Sequence, residues 1–133
     1  MEKLTVLFFD RHRGLVETWE EVIQKQLGCE VHTCSSVGEI VWINESLKRN
    51  FRFIDVAFLN LCSELKLGNW HVIDKLRADN PFVKIFAMSS DENHPMMKKP
   101  VPIFNGAIIK PFSLDVMEMI LKQVASELTV PLQ

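Results

Sequence analysis

Apolar residues along the chain fall into two alternating patterns. Short unbroken runs are separated by longer segments in which apolar side chains recur every three or four positions. Leu4 to Phe9 is the first run, and it stops at Asp10-Arg11-His12-Arg13. Leu15, Val16, Trp19, Val22, Ile23 and Leu27 then follow a helical period, with Gly28 as a stop. Val31 to Cys34 reads as a second strand. Ser36-Val37-Gly38-Glu39 has the spacing of a capping box and opens a helix carrying Ile40, Val41, Ile43 and Leu47. A helix cannot turn Ile40, Val41, Trp42 and Ile43 onto one sheet together, so part of that run is expected to point away from the core, toward a partner. Ile54 to Leu59 is a third strand, nearly all apolar, as when both faces are covered. Gly68-Asn69 precedes a helix with Trp70, Ile73 and Leu76 that Pro81 breaks. Val83 to Met88 and Ala107 to Ile109 read as the fourth and fifth strands. Ser113-Leu114-Asp115 caps a last helix with Val116, Met117, Ile120, Leu121, Val124 and Leu128.

This alternation predicts an α/β fold, a doubly wound parallel sheet with helices on both faces. One place resists the pattern. A helix belongs between the fourth and fifth strands, but Pro95, Pro100 and Pro102 fall there, and an interior proline costs about 3 kcal/mol. A short or irregular helix around Met96 to Lys99 is expected.

Composition narrows the class. The 133 residues suit one domain, read as a core over 1–128 with a tail over 129–133. Apolar residues make up 47%, enough for a sizeable core. Fifteen basic residues against 17 acidic give a net charge of −2. That balance argues against direct nucleic-acid binding or a dominant anionic-membrane surface, while leaving room for a local basic patch. No apolar run approaches the roughly 18 residues that span a bilayer. The start of the chain lacks a signal-peptide layout, and Cys29, Cys34 and Cys62 show no metal-type spacing. An odd cysteine count without a leader fits a reducing cytoplasm. His12, His32, His71 and His94 are scattered, so no metal is expected.

In sheets of this kind, functional side chains gather at the carboxyl ends of the strands. The candidates are Asp10 and Arg11, Asn60 to Cys62, Ser89 and Ser90, and Lys110. These positions carry a resemblance over almost the whole chain. Val6-Leu7-Phe8-Phe9-Asp10-Arg11, the run Ile54 to Leu61 followed by Gly68, Met88-Ser89-Ser90 and Ile109-Lys110-Pro111-Phe112 resemble the four signature sites of response regulator receiver domains in two-component phosphorelay signalling. The order and intervals agree with that family. The resemblance implies a flavodoxin-like (βα)5 fold with sheet order 2-1-3-4-5, a cis Lys110-Pro111 bond and a regulatory role exercised through a protein partner or a fused output domain. It also implies no enzymatic activity.

The departures from the family carry the functional expectation. Asn60 stands where the family has its phosphoacceptor aspartate, and acyl phosphate formation needs a carboxylate nucleophile. Arg11 replaces a second acidic residue that the family uses for Mg²⁺, a cation that wants oxygen ligands. Asp10 against Arg11 and Lys110 leaves the matched positions net positive, so neither Mg²⁺ nor another cofactor is expected. Arg11 could fill the metal space and pair with Asp10. Ala107 stands where the family's switch aromatic would be, while its partner hydroxyl, Ser89, is kept. The whole reads as a pseudo-receiver without a catalytic residue. It is expected to work as a stand-alone adaptor or as the N-terminal regulatory domain of a larger transcriptional regulator, with a homodimer as an open option.

Plainer roles stand beside these. Asp10 could cap the first helix, Asn60 could only hold the loop shape, and Lys110 is expected to pair with Asp10 or the Asn60 oxygen. Asp55 reads as a solvated strand entry, and Cys62 as a buried inert thiol. Trp19, Trp42 and Trp70 read mostly as core or half-buried anchors. The tail could dock on the body or lead into an output domain. Two other functions remain: a small-anion or small-ligand sensor using Arg11, Ser89 and Lys110, and a receiver phosphorylated at a non-standard residue such as Glu64 or Asp91.

Overall fold

The computed structural model describes residues 3–61, 71–91 and 104–128. Five parallel strands form one sheet: β1 (Thr5–Phe9), β2 (Glu30–Cys34), β3 (Val56–Asn60), β4 (Lys84–Ser89) and β5 (Gly106–Ile109). Their order is β2-β1-β3-β4-β5, the order that the resemblance implied. Helices α1 (Arg13–Glu21), α2 (Val37–Arg49), α3 (His71–Asp79) and α4 (Leu114–Leu128) connect and cover them. The irregular helix expected between β4 and β5, Trp70 and the tail lie outside the described residues.

Strand periodicity divides the core in two. Leu7, Phe9, Ala57, Leu59, Ile85 and Ala87 face Ile40, Ile43 and Leu47 of α2 and Val72, Ile73 and Leu76 of α3. Val6, Phe8, Val56, Phe58 and Met88 face Val16 and Trp19 of α1 and Met117, Leu121 and Val124 of α4. All five residues of β1 are buried, which explains its unbroken apolar run. Trp19 stacks on Phe112 at 4.9 Å and lies against Phe8, tying α1 to the segment after β5. Emptying such a site, as in Phe58→Ala, costs about 3–5 kcal/mol.

Helix ends follow local chemistry. The Ser36 hydroxyl accepts the Glu39 N–H at 3.2 Å, the N-cap half of the box predicted from spacing, and also donates to the Glu39 carboxylate. Ser113 accepts the Val116 N–H at 3.4 Å at the start of α4. Helix α1 ends in a wider π turn over Val22–Gln26, and Gly28 closes it at a φ of 67°. Of the apolar run on α2, Ile40 and Ile43 are buried while Trp42 is exposed. On β5, a side chain at Gly106 would meet the Phe86 ring at 2.9 Å, so that strand needs glycine to sit close to β4.

The end of α2 breaks the usual rule. The Phe51 N–H bonds the Lys48 carbonyl at 3.0 Å and the Arg52 N–H bonds the Leu47 carbonyl at 2.9 Å. This is a Schellman closure, in which glycine normally takes the left-handed residue. Here Phe51 takes it, at a φ of 57°, and a residue with a Cβ costs about 1–2 kcal/mol in that conformation.

A polar latch holds α2 to α3. The Asn44 amide, buried in the interface, donates to the Asp79 carboxylate at 2.7 Å. Lys48 and Lys75 reach Asp79 at 3.1 and 3.3 Å. Burial alone would raise the Asp79 carboxyl, but hydrogen bonds from Lys48, Asn44 and Lys75 outweigh it and hold its pKa below the ordinary value.

Candidate functional site

Parallel strands end together, so their last residues share one edge of the sheet. Asp10 follows β1, Asn60 ends β3, Ser89 ends β4 and Lys110 follows β5. The pairings Asn60↔Met88 and Ser89↔Ile109 bring these ends side by side. The Asp10 N–H bonds the Cys34 carbonyl at 3.2 Å, and the Lys110 N–H bonds the Ser89 carbonyl at 2.8 Å, so the loops start under backbone control.

At the centre lies the Lys110 ammonium. Its Nζ donates to Asp10 Oδ2 at 2.6 Å and to Asn60 Oδ1 at 2.9 Å. Both pairings expected for Lys110 are therefore made at once, across 100 and 50 residues of sequence. Asp10 is fully buried and the Lys110 side chain is 15% exposed. A charge so placed needs a partner and hydrogen bonds. Asp10 has both, because Oδ1 also accepts the His12 N–H at 3.0 Å. That bond is an Asx turn, and the N-cap of α1 is His12 and not Asp10. The helix-capping role considered for Asp10 is thus corrected. The peptide bond between Lys110 and Pro111 is cis, as the resemblance implied.

Other candidates are less central. Arg11 is exposed at the surface, and the partner that the structure gives the Asp10 carboxylate is Lys110. The hydrogen-bonded set Asp10, Asn60 and Lys110 then sums to zero charge, where the matched positions counted together gave a positive sum. Ser89 is buried, and its hydroxyl accepts the Asp91 N–H at 3.0 Å and donates to the Asp91 carbonyl at 3.1 Å, closing a turn. Ala107 is exposed on β5, the edge strand. Asp55 is no solvated entry: it is half-buried, and Oδ2 accepts the Thr5 N–H at 2.8 Å, tethering the start of β1. Cys62 and Glu64 lie outside the described residues.

Sequence reasoning passed over the opposite edge of the sheet. There a cavity opens between Phe51, Phe53 and Phe82. The available signal was the segment Lys48-Arg49-Asn50-Phe51-Arg52-Phe53, in which two phenylalanines sit where a polar turn would be ordinary.

No protein-family model and no curated protein matches the chain. Solved structures do. The signal receiver domain of an HD domain-containing protein from Pseudomonas fluorescens Pf-5 aligns with a TM-score of 0.77 at 11% identity, covering 95% of this chain and 97% of that one. A two-component response regulator from Clostridium difficile gives 0.75 at 15% identity, covering 95% and 98%. A response regulator receiver protein from Sinorhizobium medicae WSM419 gives 0.73 at 21% identity, covering 94% and 96%. The chain has the fold of response regulator receiver domains. No helix among the described residues is long and apolar enough to cross a membrane.

Proposed function

We propose that the chain is a signalling module of receiver type that works by binding a protein partner or a joined output domain and accepts no phosphoryl group at the carboxyl edge of its sheet. The observation that carries this reading is the seat of Lys110, held between Asp10 at 2.6 Å and the Asn60 side-chain oxygen at 2.9 Å. The group in line with the lysine is a carboxamide, which is a poor nucleophile and cannot give an acyl phosphate. A divalent metal fits the described residues poorly. Asp10 is the one carboxylate in the cluster, and its two oxygens already take the His12 N–H and the Lys110 ammonium. Mg²⁺ asks for near-octahedral oxygen donors, usually carboxylates and water. Arg11 adds positive charge at the position next to Asp10.

A joined output domain agrees with the receiver of Pseudomonas fluorescens Pf-5, which belongs to an HD domain-containing protein. The balanced charge supports a protein partner over nucleic acid for this domain. The anion-sensor reading gains no support from geometry, since the Ser89 hydroxyl and the Lys110 ammonium both have protein partners.

The test is incubation of the whole chain with acetyl phosphate and Mg²⁺, read by intact mass. An unchanged mass is expected. A stoichiometric phosphoryl gain overturns the reading. Mapping that phosphoryl to Asp91 or Glu64 would identify a non-standard acceptor.

A further inference from the structure

The amino-terminal edge of the sheet carries features that the carboxyl edge does not explain. A cavity of about 430 Å³ opens there, with Phe51, Phe53, Phe82, Lys3, Arg52 and Asp55 in its walls. Its rings face solvent: Phe51 is 90% exposed, Phe82 72% and Phe53 42%. Phe51 is disfavoured twice, by its positive φ and by its exposure, and core packing offsets neither. Strained residues that persist without a packing reason concentrate at contact sites.

Charge adds a second signal. Lys3 and Arg52 line the cavity beside the rings and are exposed, with Arg52 also paired to Glu30. The acidic wall residue, Asp55, is half-buried and directs Oδ2 to the Thr5 N–H at 2.8 Å. The solvent-facing rim is therefore aromatic and cationic.

We infer that this edge is a docking surface for an extended acidic-apolar peptide segment of a partner protein. An aliphatic or aromatic side chain enters between the three rings, and neighbouring carboxylates meet Lys3 and Arg52. Apolar anchors in a pocket, joined by charge-assisted hydrogen bonds at its rim, are the usual source of such affinity. The volume lies within the roughly 300–1,000 Å³ of ligand pockets. A lipid surface matches less well, because the rings surround a hollow whose walls include the polar residues Thr5 and Asn80. The inference rests on reading the chain as a binding module but not on the state of the Lys110 cluster. Phosphoryl uptake would sink that reading and leave the peptide assay separately legible.

The experiment is selection of a random-peptide library on the immobilised full chain, counter-selected on Phe51→Gly. That variant suits the left-handed backbone, so its thermal midpoint should stay level or rise. The expected winners join Asp or Glu to Leu, Ile, Phe or Trp. They should bind about tenfold or more weakly to Phe51→Gly, to Phe82→Ser and to a Lys3→Glu, Arg52→Glu double variant. The inference fails if no peptide is enriched over the Phe51→Gly control. It fails equally if the winners are basic, or if the variants bind as well as the parent. Phosphatidylserine vesicles or poly-uridine binding at these residues in place of peptide would also overturn it.

Discussion

The two edges of the sheet spend polar and apolar groups in opposite ways. At the carboxyl edge a charged pair is buried and its groups are satisfied internally: Lys110 on Asp10 and Asn60, Asp10 on the His12 N–H, Ser89 on its own turn. At the amino edge aromatic rings are exposed, and one of them sits on a backbone conformation that disfavours it. The first edge has turned its chemistry inward and the second has turned its hydrophobic surface outward. In a receiver fold the reverse is expected, since the carboxyl ends of the strands are the usual place for a ligand. Under the function proposed above, the site named by topology contributes to the fold, and the amino edge is the surface proposed for recognition.

Breaking the carboxyl edge should have the largest effect. Lys110→Ala leaves the Asp10 carboxylate buried and unpaired, and losses of this kind run to about 3–5 kcal/mol. Urea unfolding of the variant should show a midpoint shifted strongly downward. A shift near zero would mean that the cluster is open to solvent and free for a ligand, which would undo the comparison.

The latch between α2 and α3 comes next, because the end of α2 carries the amino-edge aromatics. Asp79→Ala strands the buried Asn44 amide, at an expected cost of about 1–3 kcal/mol. The same carboxylate gives a pH signature. Its folded pKa lies below its unfolded value, so the stabilisation is full above the unfolded value and is lost as pH falls through the folded one. Chemical denaturation stepped downward from about pH 5 should show the decline on the acid side of about pH 4. Asp79→Asn should flatten that part of the profile. An identical acid slope in parent and variant would place the titration on other groups.

Much of this architecture was legible in the residues. The strands were readable because a sheet covered on both faces needs unbroken apolar runs, and Val6 to Phe9 and Val56 to Leu59 are such runs. The carboxyl-edge cluster was readable because strand ends are fixed once the strands are. What was hidden is of two kinds. Polar pairs far apart in sequence leave no local trace, and Asn44 with Asp79, or Asp55 with Thr5, became visible only when the fold brought them together. Backbone conformation is the other. The φ of Phe51 follows from how α2 must close to reach β3, and no property of phenylalanine predicts it.

That conformation sets a smaller test of the amino edge. Phe51→Gly should raise stability by about 0.5–1 kcal/mol, the relief of a left-handed Cβ less the extra entropy of glycine. A measurable loss would show that the Phe51 ring has packing that the comparison denies it.

The smallest expected effect is near-silence from two thiols that bracket β2, Cys29 at the amino edge and Cys34 at the carboxyl edge. Burial, with Asp55 nearby, pushes the Cys29 thiol up to about 11, and burial with Glu39 pushes Cys34 up to about 12. At pH 8 the thiolate is then about a thousandth of Cys29 and less of Cys34, and the thiolate is the reactive form. Native iodoacetamide labelling, read peptide by peptide, should leave both unmodified. The variants turn that silence into a comparison of the two edges. If the latch supports the amino edge alone, Asp79→Ala should speed Cys29 and spare Cys34. If Lys110 secures the whole sheet, Lys110→Ala should speed both together, because the buried charge is released only by global opening. Selective labelling of Cys34 in Lys110→Ala would instead show that the carboxyl edge opens by itself.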